Sequence, residues 1–375
     1  MGTETLSATR PSSSTAERLS IVDCDVHPIV KGGMHSLFPY MLIAWQKRLK
    51  QKAAEIVTVA PLTLRFEHPN GSALRSDAVT PSGGPGGSDP EYIKSDLLEK
   101  HDIDIAILNC LQPSAMAAAL AGPDESVVMC SAFNDFFLDS WKLTGSGPLR
   151  LAISVPVQDP IAAAAEIRRL AENPAVAAVS LPLLNIRMGN RYYYPIYEEA
   201  HRCGLPILLH VTGTDSIYYG APHAAVGLPE SYIERYVSLS QIAESNISSL
   251  IFSGTFEKFP GLKFLFAEYG FAWILPLLWR MDRTWRSLRH ETPWVKKSPI
   301  DYVHENVRLS TQPLDEPERP EDLHTLIKLF GYDLLMFSSD YPHWDNDMPE
   351  QSLRTLPPEA RRMIFGDNAR KVLRL

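Results

Sequence analysis

Short apolar runs alternate with longer stretches of helical periodicity along most of the chain. The runs have four to eight residues, the length of a buried strand, and apolar residues recur every three to four positions between them. The runs lie at 19–26, 103–109, 149–155, 176–181, 206–209, 263–267, 307–310 and 334–337. Eight strands separated by helices predict an α/β fold, a closed (β/α)8 TIM barrel. An open doubly wound sheet is the alternative, but no Gly-rich dinucleotide fingerprint follows the first run.

Changes in composition mark a tail and an insert around this barrel. Residues 1–18 are rich in Ser and Thr and predict a loose N-terminal tail, which leaves 19–375 as a single domain. Residues 60–90 are predicted to be a flexible insert after the first strand region, because 82–88 read Ser-Gly-Gly-Pro-Gly-Gly-Ser. A loop of this length inside a compact domain is typical of a lid or of a contact with a partner.

Composition and charge narrow the class of protein. The chain has 375 residues, of which 45% are hydrophobic, and this suffices for a large core. The net charge of −8 and the lack of a basic stripe argue against a nucleic-acid partner. No apolar run approaches the ~18 residues of a membrane helix. The four cysteines are scattered without paired spacing, as expected for reduced thiols in a cytoplasmic protein.

The first strand runs into three polar residues at alternate positions. Asp23, Asp25 and His27 would share one face, because side chains two apart along a strand point the same way. Three polar groups buried there without partners would be strongly unfavourable, and a bound metal would offset that cost. The alternative is a strand end that passes into an ordinary turn.

Histidines and acids also follow three later strands. His210 ends the fifth run, Glu268 ends the sixth, and Asp340 and His343 come shortly after the eighth. In a barrel the strand ends meet on one face, so residues distant in sequence gather there. Two or three imidazoles with three carboxylates suit a divalent ion such as Zn, Mn or Fe. Taken singly, each residue has an ordinary alternative as a core histidine, a helix cap or a solvated side chain.

Weaker candidates for substrate contacts lie in other loops at the same face. Arg187 follows the fourth strand and could bind a substrate carboxylate through two N–H groups. Tyr218 and His223 lie in the loop after the fifth strand and could reach the same pocket. The alternative is that these three are ordinary loop residues. Gln312, at the end of the seventh strand, is a candidate hydrogen-bond donor to a metal ligand.

Four segments together resemble the amidohydrolase superfamily, in the branch of aminocarboxymuconate-semialdehyde decarboxylase-like proteins. They are Ile-Val-Asp-Cys-Asp-Val-His at 21–27, Leu-Leu-His at 208–210, Phe-Glu-Lys-Phe-Pro-Gly-Leu-Lys-Phe at 256–264 and Ser-Asp-Tyr-Pro-His at 339–343. The resemblance extends over 19–373 and implies a distorted barrel with a catalytic divalent metal. The ligand positions that it implies are Asp25, His27, His210 and Asp340.

Two departures from this family pattern shape the first functional hypothesis. Glu268 stands where the decarboxylases have an acid/base histidine, and His343 is an additional imidazole. Both could hold a second metal, as in superfamily members described as dinuclear non-haem iron, or iron–manganese, hydroxylases. The chain is therefore interpreted first as an O2-dependent monooxygenase of a small organic substrate. Glu268, Asp340 and His343 would be its catalytic residues.

Two other interpretations remain open at this point. One is a mononuclear Zn or Mn enzyme that acts as a hydrolase or as a non-oxidative decarboxylase of a small carboxylate. In it Asp340 would act on water and His343 would orient Asp340. The other is a non-catalytic partner subunit of a homologous enzyme. The expected partners are a small-molecule substrate, O2 under the first hypothesis, and a second copy or a homologous subunit.

Overall fold

A parallel eight-stranded sheet organises the chain in the computed structural model, which describes residues 18–50, 69–71, 73–112, 122–211 and 230–375. The strands are β1 Ile21–Val26, β2 Ile103–Asn109, β3 Leu149–Ser154, β4 Val176–Ser180, β5 Ile207–His210, β6 Phe264–Ala267, β7 Val307–Ser310 and β8 Leu335–Met336. Each strand pairs in parallel with the next one in sequence. The predicted (β/α)8 barrel is thereby confirmed, and the strands lie where the apolar runs placed them.

The barrel is distorted where its first and last strands meet. Cys24 N donates to Phe337 O at 2.9 Å, and His27 N donates to Tyr341 O at 2.7 Å. Both acceptors lie beyond the two regular residues of β8. Irregular backbone after β8 therefore completes the ring, and it pairs directly with the end of β1.

Helices separate the strands and cover the outside of the barrel. They are α1 Met34–Leu37, α2 Ile43–Lys50, α3 Pro90–Ile93, α4 Pro123–Ser140, α5 Pro160–Leu170, α6 Tyr194–Cys203, α7 Tyr232–Val237, α8 Ser240–Phe252, α9 Thr255–Lys258, α10 Ile274–Leu288, α11 Pro299–Asn306, α12 Pro320–Phe330, α13 Pro358–Arg362 and α14 Asn368–Val372. Six of them begin with Pro, whose fixed φ suits a first helical turn. None of the helices described here is both long and apolar enough to cross a bilayer.

Apolar side chains fill the inside of the barrel and close the end at which the strands begin. The interior cluster consists of Val22, Cys24, Ile107, Ala152, Ala177, Ala178, Leu208, Leu265 and Met336 from the strands, with Ala369, Val372 and Leu373. Arg370 of α14 donates to Ser20 Oγ at 2.7 Å, directly before β1 begins. Helix α14 therefore covers the end of the barrel where the strands start, and the opposite end carries the polar residues.

The predicted insert is described only in part. Residues 51–68 and 72 lie outside the described ranges, and so do residues 1–17 of the predicted tail. Within the described part, Gly86–Ser88 form a short buried turn. The flexibility of the tail and of the insert stays a prediction, as does the division of the chain into one domain.

Candidate metal centre

Two loops at the strand ends meet in a contact between a histidine and an aspartate. His27 Nε2 lies 2.6 Å from Asp340 Oδ1, and His343 Nδ1 lies 2.7 Å from the same oxygen. The rings of His27 and His343 stack with their centroids 4.5 Å apart. His27 and Asp340 are buried, whereas His343 is partly exposed. The loops after β1 and β8 thus bring two imidazoles to one carboxylate, as the sequence predicted.

At the end of β5, His210 lies between two acids. His210 Nε2 lies 3.0 Å from Asp25 Oδ2 and 3.2 Å from Glu268 Oε2. This buried nitrogen has no hydrogen-bond partner of good geometry among the described residues. A buried, unsatisfied imidazole nitrogen between two carboxylates is the environment expected of a metal ligand.

The six residues that the sequence singled out as metal ligands form two overlapping clusters. Within each cluster the candidate ligand atoms lie within 4.8 Å of one another. The first cluster contains Asp25, His27, His210 and Asp340, and the second contains Glu268, Asp340 and His343. The set of imidazole nitrogens and carboxylate oxygens in the first cluster fits a first-row divalent ion.

Backbone carbonyls set the tautomers of both buried histidines. His27 Nδ1 lies 2.9 Å from Asn109 O, and His210 Nδ1 contacts Val211 O. Because a carbonyl only accepts, each Nδ1 carries a proton, and each Nε2 faces the cluster, where it could bind a metal ion in its deprotonated form. Both rings therefore have the orientation that a metal ligand requires.

Asn109, at the end of β2, is a contributor that the sequence analysis missed. Its Nδ2 donates to Asp25 Oδ1 at 3.0 Å, and its Oδ1 accepts from Ser180 Oγ at 2.9 Å. An asparagine as the last residue of a buried strand was the available signal, because a buried amide needs partners. Asn109 thus connects the ends of β1, β2 and β4, and it fixes one candidate ligand, Asp25.

A hydrogen-bond chain continues from Asp340 toward helix α7. Gln312 Nε2 lies 3.3 Å from Asp340 Oδ2 and 3.2 Å from Asp345 Oδ2. The Tyr236 hydroxyl donates to the same oxygen of Asp345. Gln312 therefore contacts a candidate ligand as predicted, whereas Asp345 and Tyr236 were missed. Asp345 was within reach of sequence reasoning, because it lies two residues past His343.

Two of the clustered acids have left-handed backbone conformations. Glu268 has φ 64° and Asp340 has φ 62°, a region that residues other than glycine seldom occupy. Such strain persists only where surrounding contacts hold it, and it is concentrated at functional sites. The backbone therefore turns sharply at the ends of β6 and after β8, which places both carboxylates in the cluster.

Electrostatics in the protein-only site reflect an excess of acids. Burial raises the pKa of Glu268 well above its usual value, and the charges of Asp340 and Asp345 raise it further. For Asp25 burial also acts to raise the pKa, but the His210 and His27 imidazoles outweigh it and lower the pKa. Although burial opposes protonation, Asp25 and Asp340 raise the pKa of His27 to about 9. The cluster thus favours additional positive charge.

The remaining candidates lie outside this cluster or outside the described residues. Asp23 is buried on β1, but its carboxylate accepts from the amides of Asp25 and Ser339 at 3.2 and 2.9 Å. The pairing of β1 with β2 shifts register between Asp23 and Val26, so simple alternation fails there. Arg187 is exposed in the loop after β4. Tyr218 and His223 fall in 212–229, outside the described ranges, so these three substrate contacts stay predictions.

A parallel eight-stranded barrel with histidines and acids gathered at its strand ends is the architecture of a metal-dependent TIM-barrel enzyme. The chain belongs to the Amidohydrolase family, whose profile matches residues 22–375. It is an enzyme of the amidohydrolase superfamily, as the four sequence segments indicated.

Several proteins similar to this chain are decarboxylases. Gamma-resorcylate decarboxylase of Polaromonas sp. is 25% identical over 305 residues, which cover 74% of this chain and 86% of that protein. The structure of 5-carboxyvanillate decarboxylase from Sphingomonas paucimobilis matches with a TM-score of 0.66 at 18% identity, over 96% of this chain and 100% of that one. A Polaromonas dihydroxybenzoic acid decarboxylase with bound manganese matches with a TM-score of 0.60 at 19% identity, over 95% and 97%.

The interpretation of the chain as an O2-dependent monooxygenase is wrong. It is contradicted by these relatives, which are decarboxylases of aromatic carboxylates. The error came from counting Glu268 and His343 as ligands of a second, redox-active ion, although clustering alone does not specify redox chemistry. The buried cluster and the manganese-containing relative support a divalent metal. They do not support iron or a count of two.

Proposed function

We propose that this protein is a metal-dependent, non-oxidative decarboxylase of a small aromatic carboxylate. The observation that carries the proposal is the four-residue cluster of Asp25, His27, His210 and Asp340 at the strand ends of an amidohydrolase barrel. The named relatives add the substrate class, since they act on gamma-resorcylate and 5-carboxyvanillate. The small-molecule partner expected from the sequence is thus an aromatic acid.

The metal is proposed to be a single manganese ion held by that cluster. Asp25 and Asp340 supply carboxylate oxygens, and His27 and His210 supply Nε2. The other cluster shares Asp340 and has only Glu268 and His343 as ligands of its own. A second ion would need Asp340 to bridge and would have an incomplete set of protein ligands. One ion per chain is therefore the simpler arrangement, and zinc is the alternative metal.

Decarboxylation breaks the bond between a ring carbon and the carboxylate, releases CO2, and places a proton on the carbon. A bound divalent ion supplies positive charge that orients the substrate's oxygen atoms and polarises them. The protein must then provide the proton at a fixed position. His343 Nδ1 is 2.7 Å from Asp340 Oδ1, so a proton on this nitrogen is directed at the Asp340 carboxylate. We assign proton delivery to this pair: Asp340 would pass a proton to the ring carbon as CO2 leaves, and His343 would replace that proton on Asp340.

Glu268 is the feature that sets this site apart from the decarboxylase pattern. Its carboxylate faces His210 and lies within the second cluster, so it borders the space in front of the four candidate ligands. We propose that it contacts the substrate there. Because burial and the neighbouring acids raise the pKa of Glu268 well above its usual value, its carboxyl group would hydrogen-bond a hydroxyl group on the ring. An aromatic acid with a hydroxyl group next to its carboxylate fits this arrangement best.

The test is CO2 release from defined aromatic acids. Protein stripped with a chelator and reloaded with Mn²⁺ is incubated with gamma-resorcylate and with 5-carboxyvanillate, and both CO2 and the decarboxylated product are quantified. We expect metal-dependent release from at least one acid, and a loss of about 10²–10⁴-fold in kcat for Asp340→Asn. The proposal would be refuted if the metal-loaded protein released no CO2 from either acid. It would also be refuted if Asp340→Asn released CO2 as fast as the parent protein.

A further inference from the structure

The glycine-rich part of the insert forms a short hairpin, residues 73–87, here called the strap. Val79 pairs with Pro85 in an antiparallel bridge, and Gly86 N donates to Ala78 O at 2.7 Å. The turn is closed by Thr80, whose N–H donates to Gly84 O at 2.8 Å. The strap is therefore a hydrogen-bonded hairpin, whose two legs, residues 73–79 and 85–87, lie side by side.

One leg of the strap binds the loop that carries Asp340 and His343. Leu74 pairs with His343 in an antiparallel bridge. Arg75 N donates to Pro342 O at 2.9 Å, and Trp344 N donates to Ala73 O at 3.0 Å. Backbone hydrogen bonds thus flank His343 on both sides and hold this loop against the strap.

The other leg binds the loop that carries His27. Ile29, two residues after the candidate ligand His27, donates through its N–H to Gly87 O at 2.7 Å. A Cβ atom at Gly87 would lie 2.3 Å from His27 O and 3.4 Å from Pro342 Cγ. No side chain fits at that distance from a backbone oxygen, so a glycine is required for this close approach. Gly87 lies where both loops meet the strap.

We propose that the strap fixes the separation of the two ligand-bearing loops, with Gly87 as the positioning residue that lets it close on His27. These loops are far apart in the sequence, but His27 N donates a backbone hydrogen bond to Tyr341 O at 2.7 Å and so joins them. Ligand distances in metal sites are set to within about 0.2 Å, so a displaced carbonyl of His27 would weaken metal binding. The inference rests on the metal site of the proposed function.

The test is metal affinity of Gly87→Ala against a matched glycine control. Gly122→Ala serves as the control, because no described atom lies within 4 Å of a Cβ at Gly122. Co²⁺ is titrated into metal-free protein and followed by its visible absorption, which reports ligand geometry. We expect Gly87→Ala to bind Co²⁺ about 10–100-fold more weakly with an altered spectrum, and Gly122→Ala to match the parent. Parental affinity and spectrum in Gly87→Ala would overturn the proposal.

A second pair of variants covers the case in which Gly87→Ala fails to fold. Arg75→Pro removes the N–H that binds Pro342 O, whereas Arg75→Ala keeps it and removes only the side chain. We expect Arg75→Pro to bind Co²⁺ at least about tenfold more weakly than Arg75→Ala. Equal affinities would contradict the role of the strap. Because both readouts are metal binding without substrate, a negative result here is distinct from a failure of the decarboxylase proposal.

Discussion

His27 Nε2 lies 2.6 Å from Asp340 Oδ1, although 313 positions separate the two residues in the chain. The contact exists because the barrel closes between β1 and the segment after β8. The loop that carries His27 and the loop that carries Asp340 therefore begin next to each other. It joins two candidate ligands of one proposed ion. The contact therefore depends on ring closure, which brings the first strand and the segment after the last strand together.

The number of bound ions is expected to be about one per chain, because the first cluster already supplies four ligands. Glu268→Ala and His343→Ala should each retain that ion after reconstitution and dialysis, whereas His210→Ala should lose it. Plasma mass spectrometry of the purified variants measures the stoichiometry. A parent protein with two ions, of which one is lost in Glu268→Ala and in His343→Ala, would contradict the single-ion site.

Asn109→Ala is expected to weaken metal binding about 10–100-fold, because Asn109 Nδ2 orients the Asp25 carboxylate. The control is Ser180→Ala, which removes a hydrogen bond to Asn109 and leaves the bond to Asp25 in place. It should have a clearly smaller effect. Competition of each metal-free protein with a chelating dye measures the affinity, and equal affinities of Asn109→Ala and the parent would exclude this role.

Asp159→Ala is expected to lower the free energy of unfolding by about 1 kcal/mol without changing turnover. Asp159 accepts from the amides of Ile161 and Ala162, both at 3.0 Å, at the start of α5. Asp159→Asn keeps an accepting oxygen and should lose only a fraction of this stability. Urea denaturation followed by circular dichroism measures both. A loss of kcat in Asp159→Ala would show that α5 affects the site.

The pH dependence of stability is expected to include a contribution from Asp347. Burial raises the pKa of this half-buried carboxyl to about 7, whereas an unfolded Asp titrates near ~3.9. Between these values the unfolded chain releases a proton that the folded protein retains. Stability is therefore lost as pH rises from about 4 to 7, and the loss is complete above that window.

Asp347→Asn removes this titration, so its advantage over the parent should grow with pH. We expect near equality at pH ~4 and a gain of about 1–2 kcal/mol at pH ~8, less than the full shift allows because the side chain is partly solvated. Urea denaturation of the metal-free proteins measures it, with the exposed Glu318→Gln as control. If the difference in stability between Asp347→Asn and the parent did not change with pH, the raised pKa of Asp347 would not affect stability.

Hydrophobic periodicity was enough to predict the barrel, and the residues at the strand ends were enough to predict the candidate ligands. The apolar runs at 103–109 and 307–310 coincide with β2 and β7. Chain-local hydrophobic periodicity reports strands directly, and parallel strands in a barrel end on a common face. His210 and Glu268 follow the runs at 206–209 and 263–267, so the sequence predicts that they lie near each other at this face.

The neighbours that complete the candidate site come from distant segments, and sequence patterns did not predict them. Asn109 binds Asp25, and the strap binds both ligand loops, because separate segments approach one another at the barrel mouth. A register shift in β1 removes Asp23 from the cluster, and strand alternation could not predict it. Sequence patterns record what a residue prefers locally, whereas contacts between distant segments follow from closing and packing the barrel.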